Sequence, residues 1–406
     1  MKRPRNLRKK LLLIVFGLLM GLLMSEVFLR VIGYSYPLFY TTDYYRGYAL
    51  RPGMWGRYQR EGGSDVVINS DGLRDREHAK AKPAGTVRIA VLGDSFTEAM
   101  HVPLEQTYWS VLERKLQDCN AFSGKRVEVI NFGVSGYGTA QELMTLRQKV
   151  WDYSPDIVML AFTTYNDVYD NSRVLSKTQD IPYFFYQDGE LVYDASFRES
   201  RVYRQRESKL SRLGRWFHDH LRFVQLLHSI QFTTRLRLAD WRKSRVQAPS
   251  QQLAGSVAPK GPPTADDVGM ENMTYLEPPD ENWREAWRVT EGLIVKMHNE
   301  VNQKGSRFVL VTLSNAIQVY PDERVRQNFM KHLGLTTMFY PNQRLKDLAG
   351  RENIEFVDLA EPMQAYADQN KVFLHGFGNY LENGHWNAEG HRVAATMIAQ
   401  KLCQSR

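Results

Sequence analysis

Residues 87–97 read Val-Arg-Ile-Ala-Val-Leu-Gly-Asp-Ser-Phe-Thr. The first seven form a short run rich in β-branched residues that ends on a glycine, the pattern of a buried strand. Four further runs share it: Val127–Gly133, Asp156–Phe162, Arg307–Leu313 and Ile354–Leu359. Helical spacing separates most of them, over Thr107–Leu116, Gln141–Val150, Asn282–Val301 and Arg324–His332. A last helix is expected from about Ala388 to Leu402, with Asn387 as its cap. Strands apolar on both faces, alternating with helices, predict an α/β protein with a parallel sheet covered on both sides.

Ligands of open parallel sheets bind beyond the carboxyl ends of the strands. Gly93-Asp94-Ser95-Phe96-Thr97 follows the first strand, Gly133-Val134-Ser135-Gly136-Tyr137-Gly138 the second and Thr164-Tyr165-Asn166-Asp167 the third. His385 lies between the fifth strand and the final helix. A serine, a glycine turn, an asparagine and a histidine thus meet at one sheet edge. Acyl transfer needs that set: a nucleophile, a base for its proton, and donors for an oxyanion.

In these blocks the chain resembles the SGNH (GDSL-type) hydrolase superfamily. LGDSF (92–96) matches its first block and NFGVSGYGT (131–139) its second. TYND (164–167) matches the third, with Thr164 where the family has glycine, and HWNAEGH (385–391) the last. The resemblance covers Val87–Asp170 and Arg307–Leu402. It implies a flavodoxin-like three-layer fold on a five-stranded parallel sheet, with Ser95 as nucleophile and His385 as base. The Ser95 N–H, the Gly136 N–H and the Asn166 amide would hold the oxyanion, and neither metal nor other cofactor is implied. The group that orients His385 stays open. One family spacing lands on Glu382, whose charge would stabilise the imidazolium. The spacing of HW-type members lands on Asn383, which would orient without charge; a bare Ser–His dyad is the third option. Each residue also has a plainer reading: Ser95 as a helix cap, Asn166 as a turn residue, Asp94 and His391 as structural, Asp358 as a local acceptor.

The first ten residues carry six basic side chains and no acid, and Arg201–Arg245 carries twelve basic residues against three acidic ones. With a formal charge of +8 in total, the remainder is net acidic, so basicity gives no argument for a nucleic-acid partner. After the basic tail, Leu11–Met24 is apolar and continues to Leu29, broken by Ser25 and Glu26. The length fits one bilayer span, and SEVFLRVIG after it offers no small-residue cleavage site. An uncleaved signal-anchor is therefore expected, a cleaved signal being the alternative. Either puts the rest of the chain on the extracytoplasmic (periplasmic) side of the inner membrane, with Glu26 and Arg30 paired at the outer interface.

Three parts are expected: 1–32, tail and anchor; 33–82, an extension of short strands and turns; and 83–406, the catalytic domain, with an insertion at 171–281. The insertion opens with a hairpin over Tyr183–Asp194, turning at Asp188-Gly189. A basic helix follows, with Leu210, Leu213, Phe217, Leu221, Val224 and Leu227 on one face. That face either packs on the core or meets anionic lipid or acidic glycan. Residues 247–267 then read as a linker.

In the implied fold the helix after the first strand and the final helix cover one face and end at the same far edge. Cys119 and Cys403, the only two cysteines, fall there, and a disulfide is expected in an oxidising compartment, two buried thiols being the alternative. The anchor and the HW block together are similar to extracytoplasmic proteins that handle acyl groups on polysaccharides, alginate O-acetylation proteins among them. The expected function is a serine ester hydrolase acting on O-acyl, chiefly acetyl, esters of a glycan. Two alternatives stand beside it: an O-acetyltransferase using the same residues, and a catalytically silent glycan-binding or assembly protein.

Overall fold

A computed structural model describes residues 5–253, 269–378, 381 and 383–404. Two hairpins come first, β1 (Tyr40–Asp43) with β2 (Gly47–Leu50) and β3 (Trp55–Tyr58) with β4 (Ser64–Val67). The central sheet follows: β5 (Thr86–Gly93), β6 (Arg126–Asn131), β7 (Ile157–Thr163) and, after the hairpin β8 (Tyr183–Gln187) and β9 (Glu190–Asp194), β10 (Arg307–Leu313) and β11 (Glu355–Asp358). Its order is β11-β10-β7-β5-β6, every pair parallel. This is the flavodoxin-like order, and its topological switch point lies between β5 and β7.

Alternation along the strands builds two cores. Ala90, Leu92, Val158, Leu160, Phe162 and Leu310 point to one face, where they meet buried residues of the helices Thr139–Gln148, Glu281–Gln303 and Tyr340–Glu352. Ile89, Val91, Met159, Ala161, Val309 and Val311 point to the other, under Tyr108–Asp118, Ala360–Asn370 and Ala388–Gln404. Three layers result, because strands buried on both sides need cover on both.

Cys119 and Cys403, at the far ends of two helices on that second face, are joined by a disulfide. It closes a separation of 284 residues, so its main effect is to restrict the unfolded chain. Cys119→Ser or Cys403→Ser should lower stability by about 2–5 kcal/mol. Thermal melts with and without reductant check this, since a wild-type melting temperature indifferent to reductant removes the claim.

The chain divides into two compact units, Phe39–Gln205 with Gly261–Arg406, and residues up to Leu38 with Arg206–Lys260. This differs from the three parts expected. The hairpins of 39–67 belong with the sheet, sharing a core of Phe39, Leu50, Val66 and Ile68 with Met100, Val134 and Tyr137. The basic part of the insertion belongs with the apolar N-terminal helix Arg5–Val31. The hairpin β8–β9 turns where expected, with Asp188 and Gly189 both at positive φ, as a two-residue primed turn requires. The basic stretch forms the helices Lys209–His220 and Arg222–Leu253. Leu210, Leu213 and Phe217 are exposed, not packed on the core. The helix reaches Leu253, and the remainder of the expected linker, 254–267, lies outside the described residues.

Candidate active site

The short helix Ser95–Glu98 starts where β5 ends, and Asp94 caps it by accepting from the Phe96 N–H at 2.9 Å. Ser95 therefore sits at a helix N-terminus at the switch point. Its Oγ lies 2.7 Å from Nε2 of His385. The other ring nitrogen of His385, Nδ1, lies 2.5 Å from Oε2 of Glu61, and the His385 backbone N–H donates to Oε1 of the same carboxylate at 2.7 Å. A carboxylate can only accept, so Nδ1 carries the proton and Nε2 is free to accept from the Ser95 hydroxyl.

Glu61 corrects the expectation for the ring's partner. Asn383 lines the same cleft, but Nδ1 is held by a carboxylate 324 residues upstream; Glu382 lies outside the described residues. Glu61 stands in the turn between β3 and β4. The Gly63 N–H and the Ser64 hydroxyl pin that turn to the carbonyls of His101 and Met100. Gly384 makes the approach possible: its φ is +86°, and a Cβ there would lie 2.1 Å from Oε1 of Glu61. A Glu in a glycine turn next to a hairpin carries no sequence signal that ties it to a distant histidine.

Burial pushes the His385 imidazolium down, but the hydrogen bond and charge of Glu61, helped by Asp94 and Glu98, outweigh it and hold His385 above the ordinary histidine value. Burial raises Glu61, and the bonds and charge of His385 reverse that and hold it below the usual carboxylate range. The ring is packed by other aromatic groups. His101 stacks on it at 4.7 Å and Phe96 lies at 4.9 Å. His391, at the start of the final helix, is buried; its Nδ1 accepts from the Tyr108 N–H and its Nε2 lies 3.1 Å from Nε2 of His101. Burial keeps His101 and His391 well below the ordinary value, so the two are neutral neighbours of His385. Nδ1 of His375 donates to the Gly384 carbonyl at 2.8 Å and steadies the loop from behind. Trp386, fully buried, donates to Ser314 Oγ at 2.9 Å.

Gly136 has φ +74°, and a Cβ would come 2.8 Å from the Tyr48 hydroxyl. That hydroxyl donates to the Ser135 carbonyl at 2.8 Å. In a trans peptide the carbonyl and the next N–H point opposite ways, so Tyr48 fixes the Gly136 N–H to face away from β2. Tyr48→Phe should lower ester turnover about ten-fold, the worth of one hydrogen bond in orienting a donor. An unchanged kcat in that variant would mean the peptide needs no such support.

Asn166 follows β7; its Nδ2 donates to Oδ2 of Asp170 at 3.0 Å, and its side chain also hydrogen-bonds the Asp94 carboxyl. Ser95, Ser135, Gly136, Asn166, Asn383 and His385 all line one open cleft of about 620 Å³, with Tyr165, Tyr169, Asn272, Asn315, Ile317 and Phe329 on its walls. Thr164 is buried beside it and accepts from Asn315 Nδ2 at 3.0 Å. Asp94 also lines the cleft, and Glu142 and Asp167 are buried; burial drives all three carboxyls up and, with repulsion among them, holds Glu142 and Asp167 well above the usual range. Asp358 ends β11 and takes hydrogen bonds from Thr312 and Asn342, a local acceptor.

No family model matches the sequence, and no curated protein does. Solved structures do. An acetylxylan esterase from Geobacillus stearothermophilus is 12% identical, with 78% of this chain and 94% of that chain covered and a TM-score of 0.37. An α/β hydrolase from the metagenome of Lake Arreo, Spain, is also 12% identical, with 79% and 97% covered and a TM-score of 0.35. Likenesses this distant carry no argument about chemistry, which rests on the residues of this chain.

Proposed function

We propose that this protein is a serine ester hydrolase of the SGNH type that acts outside the cytoplasm on O-acyl, chiefly acetyl, esters of a glycan. One observation carries the reading: the His385 ring bridges the Ser95 hydroxyl at 2.7 Å and the Glu61 carboxylate at 2.5 Å. Ser95 Oγ attacks the ester carbon as His385 Nε2 takes its proton, and Glu61 stabilises the imidazolium that forms. The oxyanion is held by the Ser95 N–H, the Gly136 N–H and an Asn166 amide hydrogen; one such donor is worth about 10²–10³ in rate. The tetrahedral intermediate collapses, the C–O bond to the alcohol breaks and His385 returns the proton to it. A water or a sugar hydroxyl then attacks the acyl-Ser95 ester with the same base. Water gives an esterase and a sugar hydroxyl an O-acetyltransferase.

An open cleft walled by tyrosine rings and asparagine amides suits a hydroxyl-rich chain. Within the helical segment Arg8–Val31 an 18-residue window has a mean hydropathy of 2.4 and no buried residue, which supports a single-pass anchor behind a basic cytoplasmic tail. The test incubates the purified full chain with an acetylated polysaccharide, with and without a deacetylated acceptor, and follows free acetate and acceptor mass. Acetate alone identifies the esterase and acceptor gain the transferase. Neither product, together with no fluorophosphonate adduct on Ser95, sinks the reading.

A further inference from the structure

The unit formed by the N-terminal helix and the basic insertion has an apolar surface that the chemistry at Ser95 does not use. The helix Lys209–His220 turns His218 inward and leaves Leu210, Leu213, Trp216 and Phe217 exposed at 79%, 52%, 53% and 42%. They recur at three- and four-residue intervals, so they form one face, with Arg212 at its edge and Lys209 on it at the helix start. What covers this face follows from where the helix is tied down. Arg30, in the last turn of the apolar helix, donates to the carbonyl of His220 at 2.7 Å and to Oε1 of Glu26 at 2.8 Å. The Glu26 carboxylate accepts the Arg222 and Phe223 N–H groups at 3.0 and 2.9 Å, the free donors at the start of the next helix. The corner between the two basic helices is therefore fastened to the C-terminal turns of the candidate span. Arg8–Val31 covers 24 residues, which at a helical rise reach about 36 Å, a little more than the hydrocarbon core of a bilayer. If that helix spans, Arg30 lies at the outer headgroup level, and so does the end of the helix Lys209–His220.

We infer that Lys209–His220 is an interfacial helix that lays Leu210, Leu213, Trp216 and Phe217 into the outer leaflet of the membrane crossed by the anchor, with Lys209 and Arg212 at the headgroup phosphates. The inference rests on the anchor proposed above. Its chemistry is that of an amphipathic surface helix: aromatic and leucine side chains on one face, basic groups beside them, and a tryptophan at interface depth. Basic groups at that depth favour anionic lipid. Glu26 tolerates its place in an apolar helix because Arg30 and two helix N–H groups satisfy it.

Cys119 and Cys403 are bonded to each other, so Leu213→Cys adds one labelling thiol to the full chain. The labelled chain, carrying an NBD fluorophore there, is reconstituted in vesicles of phosphatidylcholine and phosphatidylglycerol and floated on a density gradient. The expected result is co-flotation, a blue-shifted NBD emission that loses most of its intensity to doxyl-labelled lipid, and little quenching by aqueous cobalt. Leu210→Cys repeats the measurement on the same face if Leu213→Cys does not fold. A chain that floats but carries an NBD group bright in doxyl lipid and quenched by cobalt overturns the interfacial helix and leaves the anchor standing. A chain that does not float overturns both. An NBD group shielded from both quenchers points to a protein partner or a second copy on this face, and that too overturns the inference.

Discussion

Ser95→Ala is expected to abolish fluorophosphonate labelling and to lower ester turnover by about 10⁶-fold, the loss seen when the nucleophile of a Ser-His-acid unit is removed. The hydroxyl has no substitute: its Oγ lies 2.7 Å from His385 Nε2, and no other serine is hydrogen-bonded to His385 among the described residues. His385→Ala should cost about as much, and the double variant no more than either single one, because the residues act as one unit. Additive losses would mean that the two side chains contribute separately. Residual activity well above the uncatalysed rate is compatible with this mechanism, since the Gly136 and Asn166 donors remain.

Glu61→Gln should lower kcat by about 10⁴-fold, as loss of the triad charge does elsewhere. The pH profile separates this from a merely structural defect. The base works as neutral imidazole, and His385 is held above the ordinary histidine value, so activity in the wild type should rise with pH with a midpoint above about 6.5. Without the carboxylate the main raising influence is gone and only Asp94 and Glu98 still oppose burial, so the midpoint should move to lower pH while the plateau falls. A plateau that falls with an unmoved midpoint would show that Glu61 does not act through the ring. Gly384→Ala tests the same contact from the other side: the added methyl takes the place of Oε1 and should reproduce both the fall and the shift. If Glu382 or Asn383 were the orienting group, Glu61→Gln would leave kcat nearly untouched.

The sheet was legible because it rests on local pattern. Four of the five strands, β5, β6, β7 and β10, are short runs buried along most of their length, and the residues after β5, β6 and β7 follow from chain direction once the strands are parallel. Ser95, Gly136 and Asn166 lie on those strand ends, and His385 precedes the final helix; the structure brings all four to one cleft. The apolar face of Lys209–His220 was also visible as a helical repeat. Its exposure was not, because periodicity records which residues share a face and is silent on what that face meets.

Glu61 marks the limit of such reading. Strands and helices announce themselves because a backbone that must satisfy its own hydrogen bonds imposes a period on its side chains. A carboxylate that orients a histidine obeys no period. It needs a place in space within hydrogen-bond reach, and here that place is supplied by a hairpin turn pinned to the backbone at Met100 and His101 and by the missing Cβ of Gly384. The sequence by itself determined the parallel sheet and the places of Ser95 and His385 beside it, since each follows from neighbours in the chain. Only the tertiary structure decided which carboxylate meets the His385 ring, because that contact joins residues 324 apart through packing alone.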